Sequence, residues 1–147
     1  MATLTLFDEF MRHLGEAKIN LSTDAFRAIL TNVAPDKAAN TIKTDITEIA
    51  AGNGYVATGV ALAGVSWAET GAGSGIWRFT ANDIAWTAAG GSIATHRYLV
   101  IYDDTPAAPL DPLVGYVDRG STDIIADGNT RTWDIGASGL FEVDATP

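Results

Sequence analysis

The stretch AAGNGYVATG, residues 50–59, decides how the chain is read, because its three glycines around an Asn and a Tyr either cradle a phosphate or turn a corner. A phosphate cradle needs a strand running into the glycines and a helix leaving them, with the anion on the N-terminal end of that helix. The order here is the reverse. TIKTDITEIA (41–50) carries Ile42, Ile46 and Ile49 at helical spacing, whereas VATGVALAGVSW (56–67) is β-branched and interrupted by Gly. The spacing predicts a short helix that ends at Gly52 and Gly54 and a strand that opens after Gly59. No P-loop Lys follows the glycines, and neither a dinucleotide nor a Walker pattern fits.

Outward from that corner, the chain reads as mainly β. Toward the C-terminus, YVATGVALAGVSWAET, a turn at GAGSG (71–75), IWRFTANDIAWTA, Gly90-Gly91, SIATHRYLVIYDD, PLVGYVDRG, RTWDI and LFEVD are short extended segments parted by Gly, Asn-Gly or Pro clusters. That pattern predicts an antiparallel β-sandwich, jelly-roll-like or immunoglobulin-like. Gly90-Gly91 is read as a tight hairpin turn. Tyr98–Tyr102 is apolar on both faces and is placed centrally, with PLVGYV as its partner beyond a loop that Pro106, Pro109 and Pro112 keep out of the sheet. Toward the N-terminus, DAFRAIL (24–30) suits a buried strand and NVAPDKAAN (32–40) a loop.

The first segment, LTLFDEFMRHLGEA, repeats apolar residues at Phe7, Phe10, Met11 and Leu14, one stripe of an amphipathic helix ending near Gly15. So short a helix must dock its stripe, either on its own domain or on a neighbouring chain. The expected organisation is an N-terminal helical arm over residues 1–17 and a single β-sandwich domain over 18–147. Phe7, Phe10, Met11 and Leu14 are the candidate interface anchors.

Composition narrows the function. The 147 residues suffice for one continuous core. Charged residues make up 18%, well below the usual quarter or so, which suits a chain that covers surface in an assembly. A net charge of −9 repels phosphate backbones and argues against nucleic-acid binding. Cysteine is absent, which removes thiolate metal sites and Cys nucleophiles. Asp8 and Glu9 fall where a signal peptide needs apolar residues, and no apolar run is long enough to span a bilayer, so neither secretion by that route nor membrane insertion is expected.

No catalytic set emerges. His13 is placed beside Arg12 on the charged side of the first helix, and His96 on a strand. No Ser sits in a nucleophile elbow, and no close His pair offers a zinc site. Asp103, Asp104, Asp118, Asp123 and Asp127 gather late in the chain, where paired carboxylates can bind Ca²⁺ or act as acid and base, yet Asp beside Gly or Pro is ordinary turn chemistry. Trp67, Trp77, Trp86 and Trp133 are read as core or subunit-contact residues, with a sugar-stacking platform as the rival. Catalytic residues, cofactors and metals are all expected to be absent.

Taken as an ordered set, ILTN, then ITEIAAGNGYVATGVAL, IAWTA, RYLVIYDDT, PLVGYVDRG and a closing Trp-Asp followed by GLFEV resemble small structural proteins of tailed-bacteriophage virions. In those proteins the equivalent segments resemble AGNGYTAGG, YAVIYDDT and LIGYVDFG. The resemblance runs from about Ile29 onward, leaves out the first helix, and departs from the usual Thr-Ala-Gly at Val56, Ala57 and Thr58. It implies a head decoration, or cement, protein with a β-sandwich body on the capsid exterior. It also implies the major capsid protein as partner, a homo-oligomer such as a trimer, synthesis in the host bacterial cytoplasm, and no catalytic residues. The rival within the virion is a tail, baseplate or fibre-associated module that binds a host-surface glycan. A glycan-binding or glycan-cleaving domain built on the Trp and late Asp residues is the rival outside that class.

Overall fold

A computed structural model describes residues 4–146, and its centre is the run that the sequence reading placed there. Strand β7 (Ile93–Asp103) is paired along both edges and is buried continuously from Tyr98 to Asp103, so both of its faces are covered there. On one side lies β8 (Leu113–Ile125), antiparallel, with Leu99 opposite Val117 and Tyr102 opposite Leu113. On the other lies β2 (Phe26–Thr31), with Phe26 opposite Asp103 and Thr31 opposite Tyr98. Two-residue strands β1 (Thr5–Leu6) and β3 (Val60–Ala61) finish a five-stranded sheet of order β1-β8-β7-β2-β3. Pro106 and Pro109 lie between β7 and β8 outside the ladder, as expected, whereas Pro112 bridges to Ile42 and its carbonyl accepts the Asp103 N–H.

Two smaller antiparallel sheets complete the β structure. One is three-stranded, with β5 (Ile76–Thr80) between β10 (Phe141–Asp144) and β4 (Ser66–Glu69). The other pairs β6 (Ile84–Thr87) with β9 (Thr130–Trp133). The described residues are thus mainly β, with three antiparallel sheets, one α-helix and one 3-10 turn, and none of these sheets closes into a barrel.

Three expectations are corrected. The segment 41–50 is no α-helix: it bridges to Pro112 at Ile42, makes a single 3-10 turn at Lys43–Asp45, and bridges to Thr31 at Glu48. Five of the seven residues from Thr41 to Thr47 are Thr or Ile, which lose side-chain freedom in a helix. The Asp45 carboxylate also takes the N–H groups of Thr41 and Ile42, offering the backbone a local alternative. Next, IWRFTANDIAWTA is two strands in different sheets. It breaks at Ala81–Asp83, where the Asn82 N–H donates to the Ala63 carbonyl and the Asp83 carboxylate accepts from the Ile135 N–H. Finally, Gly90-Gly91 makes no hairpin, because β6 pairs with β9 instead of β7. What it permits is close approach: a Cβ on Gly91 would lie 2.8 Å from the Asn53 side-chain oxygen.

The glycines of the opening stretch do turn a corner. Gly52 and Tyr55 exchange backbone hydrogen bonds across Asn53-Gly54, both with positive φ, as a tight Asn-Gly turn requires. The Tyr55 hydroxyl then pins the turn to the main sheet, accepting from the Leu30 N–H at 3.1 Å and donating to Glu48 at 2.8 Å.

Helix α1 (Asp8–Gly15) docks on its own domain. Phe7 and Phe10 are fully buried; Phe7 packs on Tyr116 of β8 and Phe10 edge-on against Phe141 of β10. Placing His13 on the charged side of this helix is also corrected: it is 2% exposed. One hydrophobic cluster takes in α1 and residues of all three sheets. Its aromatic spine runs Phe10–Phe141–Phe79–Phe26, and the 5.0 Å edge-to-face contact of Phe26 with Phe79 joins the main sheet to the three-stranded one.

Candidate functional site

The three-stranded sheet carries an aromatic face that leads from the core out to solvent. Residues opposed across a ladder, and residues two apart along a strand, share a face. Trp67, Phe79 and Phe141 therefore form one row, and Glu69, Trp77 and Val143 the next row on the same side. The first row sits against the core, with Phe79 fully buried and Trp67 and Phe141 half-buried. The second overruns it, leaving Trp77 and Val143 each 40% exposed. The Trp67 and Trp77 rings stack at 5.8 Å with 28° between their planes. Stacking and a half-buried neighbour fix Trp77 in place, so little side-chain entropy is left to lose on contact.

Beside this face, Trp67 also lines a cleft of about 400 Å³ with Leu14, Ile19, Leu21, Asn20 and Ser22. None of these is charged. At the edge of the sheet Glu69 accepts the N–H groups of Gly73 and Gly75, which shapes the turn between β4 and β5. Across the ladder, Arg78 and Glu142 form an ion pair.

The four anchors predicted from the helix stripe separate in space. Phe7 and Phe10 belong to the core, Met11 is 55% exposed, and Leu14 is half-buried and lines the cleft beside Trp67. Val143 was missed, and Trp77 was not told apart from the buried indoles. The W-x-F of β5 and the F-x-V of β10 were the available signal, legible only once the register between those distant strands is known. Of the other indoles, Trp86 and Trp133 are buried, as a core reading requires.

The late carboxylates do not converge. Arg97 grips Asp118 with two hydrogen bonds of 2.7 and 2.8 Å and, with the Gly120 N–H, pulls its carboxyl down to about 2. Burial opposes ionisation of Asp123, but Arg119 and Arg131 overcome it and hold the group below its ordinary value. Asp104 lies 3.8 Å from Arg27, and Asp127 occupies the turn before Gly128. Among the described residues no group of three or more His, Asp or Glu side chains is arranged to hold a metal ion.

Asp103 differs from the rest. It is fully buried at the end of β7, and one of its oxygens accepts the Thr105 N–H at 3.0 Å. The other has no donor among the described residues. Burial first, and then the neighbouring carboxyl of Asp24, push Asp103 up to about 7.

The two imidazoles are buried, and the His13 Nε2 lies 3.9 Å from the half-buried Glu9 carboxylate. The His13 Nε2 lies 3.2 Å from an Arg12 guanidinium nitrogen, and desolvation, reinforced by that cation, lowers its pKa and keeps the ring neutral. The His96 Nδ1 meets the Ala94 carbonyl at 3.0 Å, and its Nε2 is buried without a partner among the described residues, in keeping with a strand-packing role.

No protein-family model, curated protein or solved structure matches the chain.

Proposed function

We propose that this chain is a structural protein of a tailed-bacteriophage virion that decorates the outside of the assembled head. In this reading its main and three-stranded sheets are the two layers of an antiparallel β-sandwich. The 5.0 Å contact between Phe26 and Phe79, which joins those sheets through a shared core, supports that architecture.

The observation that carries the functional reading is the aromatic row that overruns the core, with Trp77 and Val143 at the surface beside a cleft free of charged residues. A fixed, partly exposed indole is the kind of anchor that dominates protein contacts. Covering the exposed parts of Trp77 and Val143 contributes roughly 1 kcal/mol each, too little for a single tight contact. On a shell that presents the same surface many times, weak contacts suffice if each copy bridges neighbouring subunits or belongs to an oligomer, because later contacts form at high local concentration. Expansion or rupture of the shell then has to break an added set of interfaces. The partners are the major capsid protein and further copies of this chain, and the location is the virion exterior.

Co-sedimentation with purified heads tests the reading. The wild-type chain is expected to pellet with heads at a saturable stoichiometry. Trp77→Ala and Val143→Ser, folded by circular dichroism, are expected to remain in the supernatant. If both variants pellet like wild type, this face is not the contact. If the wild-type chain does not pellet, the decoration reading is wrong.

The stacked indoles favour one second reading, a tail or baseplate module in which Trp67 and Trp77 receive a host-surface sugar. Quenching of Trp fluorescence by soluble cell-wall oligosaccharides, lost in Trp77→Ala, would select it.

A further inference from the structure

We propose that the cleft lined by Leu14 and Trp67 is a socket for a second copy of this chain, and that the tip of that copy's proline loop, residues 107–110, fills it. This contact gives the copy-to-copy partnership of the decoration reading a surface, and it forms without the head. The socket is about 400 Å³, with Leu14, Ile19, Leu21 and Trp67 among its apolar walls and Asn20 and Ser22 as polar lining. Ile19 and Leu21 are buried, and Trp67 is half-buried and stacked on Trp77, so the walls are set before anything binds. Between Ala17 and Ile19, which both line the cleft, stands Lys18. It is exposed and forms no ion pair among the described residues. The acidic groups nearest to it in sequence are engaged elsewhere, Glu16 with Arg12 at 2.9 Å and Asp24 with the Asn20 N–H at 2.6 Å.

The loop tip carries the matching chemistry. Residues 107–110 read Ala-Ala-Pro-Leu, all uncharged, with Ala107 and Ala108 exposed and Leu110 61% exposed. Ala107 and Leu110 bridge to each other, which closes the tip into a tight turn. The base of the loop is tied down: the Ala25 N–H donates to the Thr105 hydroxyl at 2.7 Å, the Asp104 N–H to the Ala25 carbonyl at 2.8 Å, and the Asp103 N–H to the Pro112 carbonyl at 3.0 Å. An apolar tip on a fastened base loses little conformational freedom on docking. Next to Leu110 stands Asp111, which forms no ion pair among the described residues. The cations near it are paired with other carboxylates, Lys43 with Glu48 at 2.9 Å and Arg27 with Asp104 at 3.8 Å. Burial first, and then the charge of Asp104, raise the Asp111 pKa, so a cation brought against that carboxylate is stabilising.

An apolar tip beside an unpaired carboxylate thus meets an apolar socket beside an unpaired ammonium. With a net charge of −9, copies of the chain repel one another in most orientations, and a contact that sets Lys18 of one copy against Asp111 of the next is favoured over the rest. Within one chain the tip does not occupy the cleft, since Leu110 is absent from its lining and stays exposed. Ser22 of the socket is close in sequence to Ala25, where the loop is tied, so socket and loop are carried by adjoining parts of the chain. Two copies that exchange tips about a two-fold axis fill both sockets, and a closed ring that passes the tip in one direction uses the same contact.

The test is sedimentation equilibrium of the purified chain, without heads, from about 10 μM to about 1 mM. Wild type is expected to self-associate as concentration rises. Leu110→Ser, which removes the apolar tip, and Ser22→Trp, which fills the socket, are each expected to weaken association about tenfold or more. Both positions are exposed, and circular dichroism is expected to show both variants folded. Mixing the two variants pairs the intact socket of one with the intact tip of the other, and should restore association above that of either alone. Carbodiimide treatment of mixed isotopically light and heavy copies should join Lys18 of one copy to Asp111 of another through an amide. The proposal is overturned if wild type stays monomeric throughout, if either variant associates like wild type, if the mixture behaves like the separate variants, or if Lys18 cross-links only within its own copy. Because no heads are present, none of these results decides the capsid contact at Trp77, which co-sedimentation tests separately.

Discussion

Replacing Phe79 by Ala should cost more stability than any surface substitution on the same strand. Phe79 is fully buried on β5, with ring centroids 5.0 Å from Phe26 of the main sheet and 5.3 Å from Phe141 of β10, so its ring is where two sheets meet. Removing a buried Phe ring forfeits its transfer free energy and leaves a cavity, together about 3–5 kcal/mol. Phe26 and Phe141 are held by their own ladders and cannot both close the gap. Against a total stability of about 5–15 kcal/mol, that loss removes a large fraction. With a urea slope of about 2 kcal/mol/M, the unfolding midpoint falls by about 2 M. Trp77→Ala is the internal control, two residues away on the same face but 40% exposed, and should shift the midpoint by less than about 0.5 M. Equal shifts for the two variants, or a Phe79→Ala loss below about 1 kcal/mol, would refute the claim that this ring joins the sheets.

Gly59 has φ +72°, and a Cβ there would lie 1.9 Å from the Ala28 carbonyl oxygen, so Gly59→Ala must displace β2 backbone and should lower the melting temperature far more than Gly90→Ala, which has positive φ but open space around it. Tyr55→Phe strands the buried Leu30 N–H and should cost about 1–3 kcal/mol by chemical denaturation, with faster exchange of that amide. His13 is held neutral by burial and by Arg12, so protonation favours the unfolded chain. The stability lost between about pH 6.5 and pH 5 should therefore be smaller in His13→Leu than in wild type, measured as the difference in melting temperature at each pH.

What the sequence made legible was whatever depends on local chemistry or on unbroken hydrophobicity. Tyr98–Tyr102 could be placed centrally because both of its faces are apolar. Its partner followed from the proline loop, which leaves PLVGYV as the nearest strand able to return. The Asn53-Gly54 corner was legible because few sequences other than Asn-Gly tolerate positive φ at both positions. The helix expected over 41–50 shows the limit: isoleucines three and four apart suit one side of a helix, but a β-branched composition and the Asp45 cap outweigh that spacing. Pairings between segments far apart in the chain were not legible. Nothing local says that β6 joins β9 across more than forty residues, or that β10 returns to β5. The surface position of Trp77 depends on such returns, which is why the helix stripe, and not this face, stood out as the contact.

Imaging the intact phage particle with this chain labelled tests the central claim most directly. Decoration of the head predicts label on the capsid exterior at regular positions of its lattice, in many copies, with Trp77 and Val143 turned toward the major capsid protein. Label confined to the tail or baseplate, or absent from the particle surface, would contradict it.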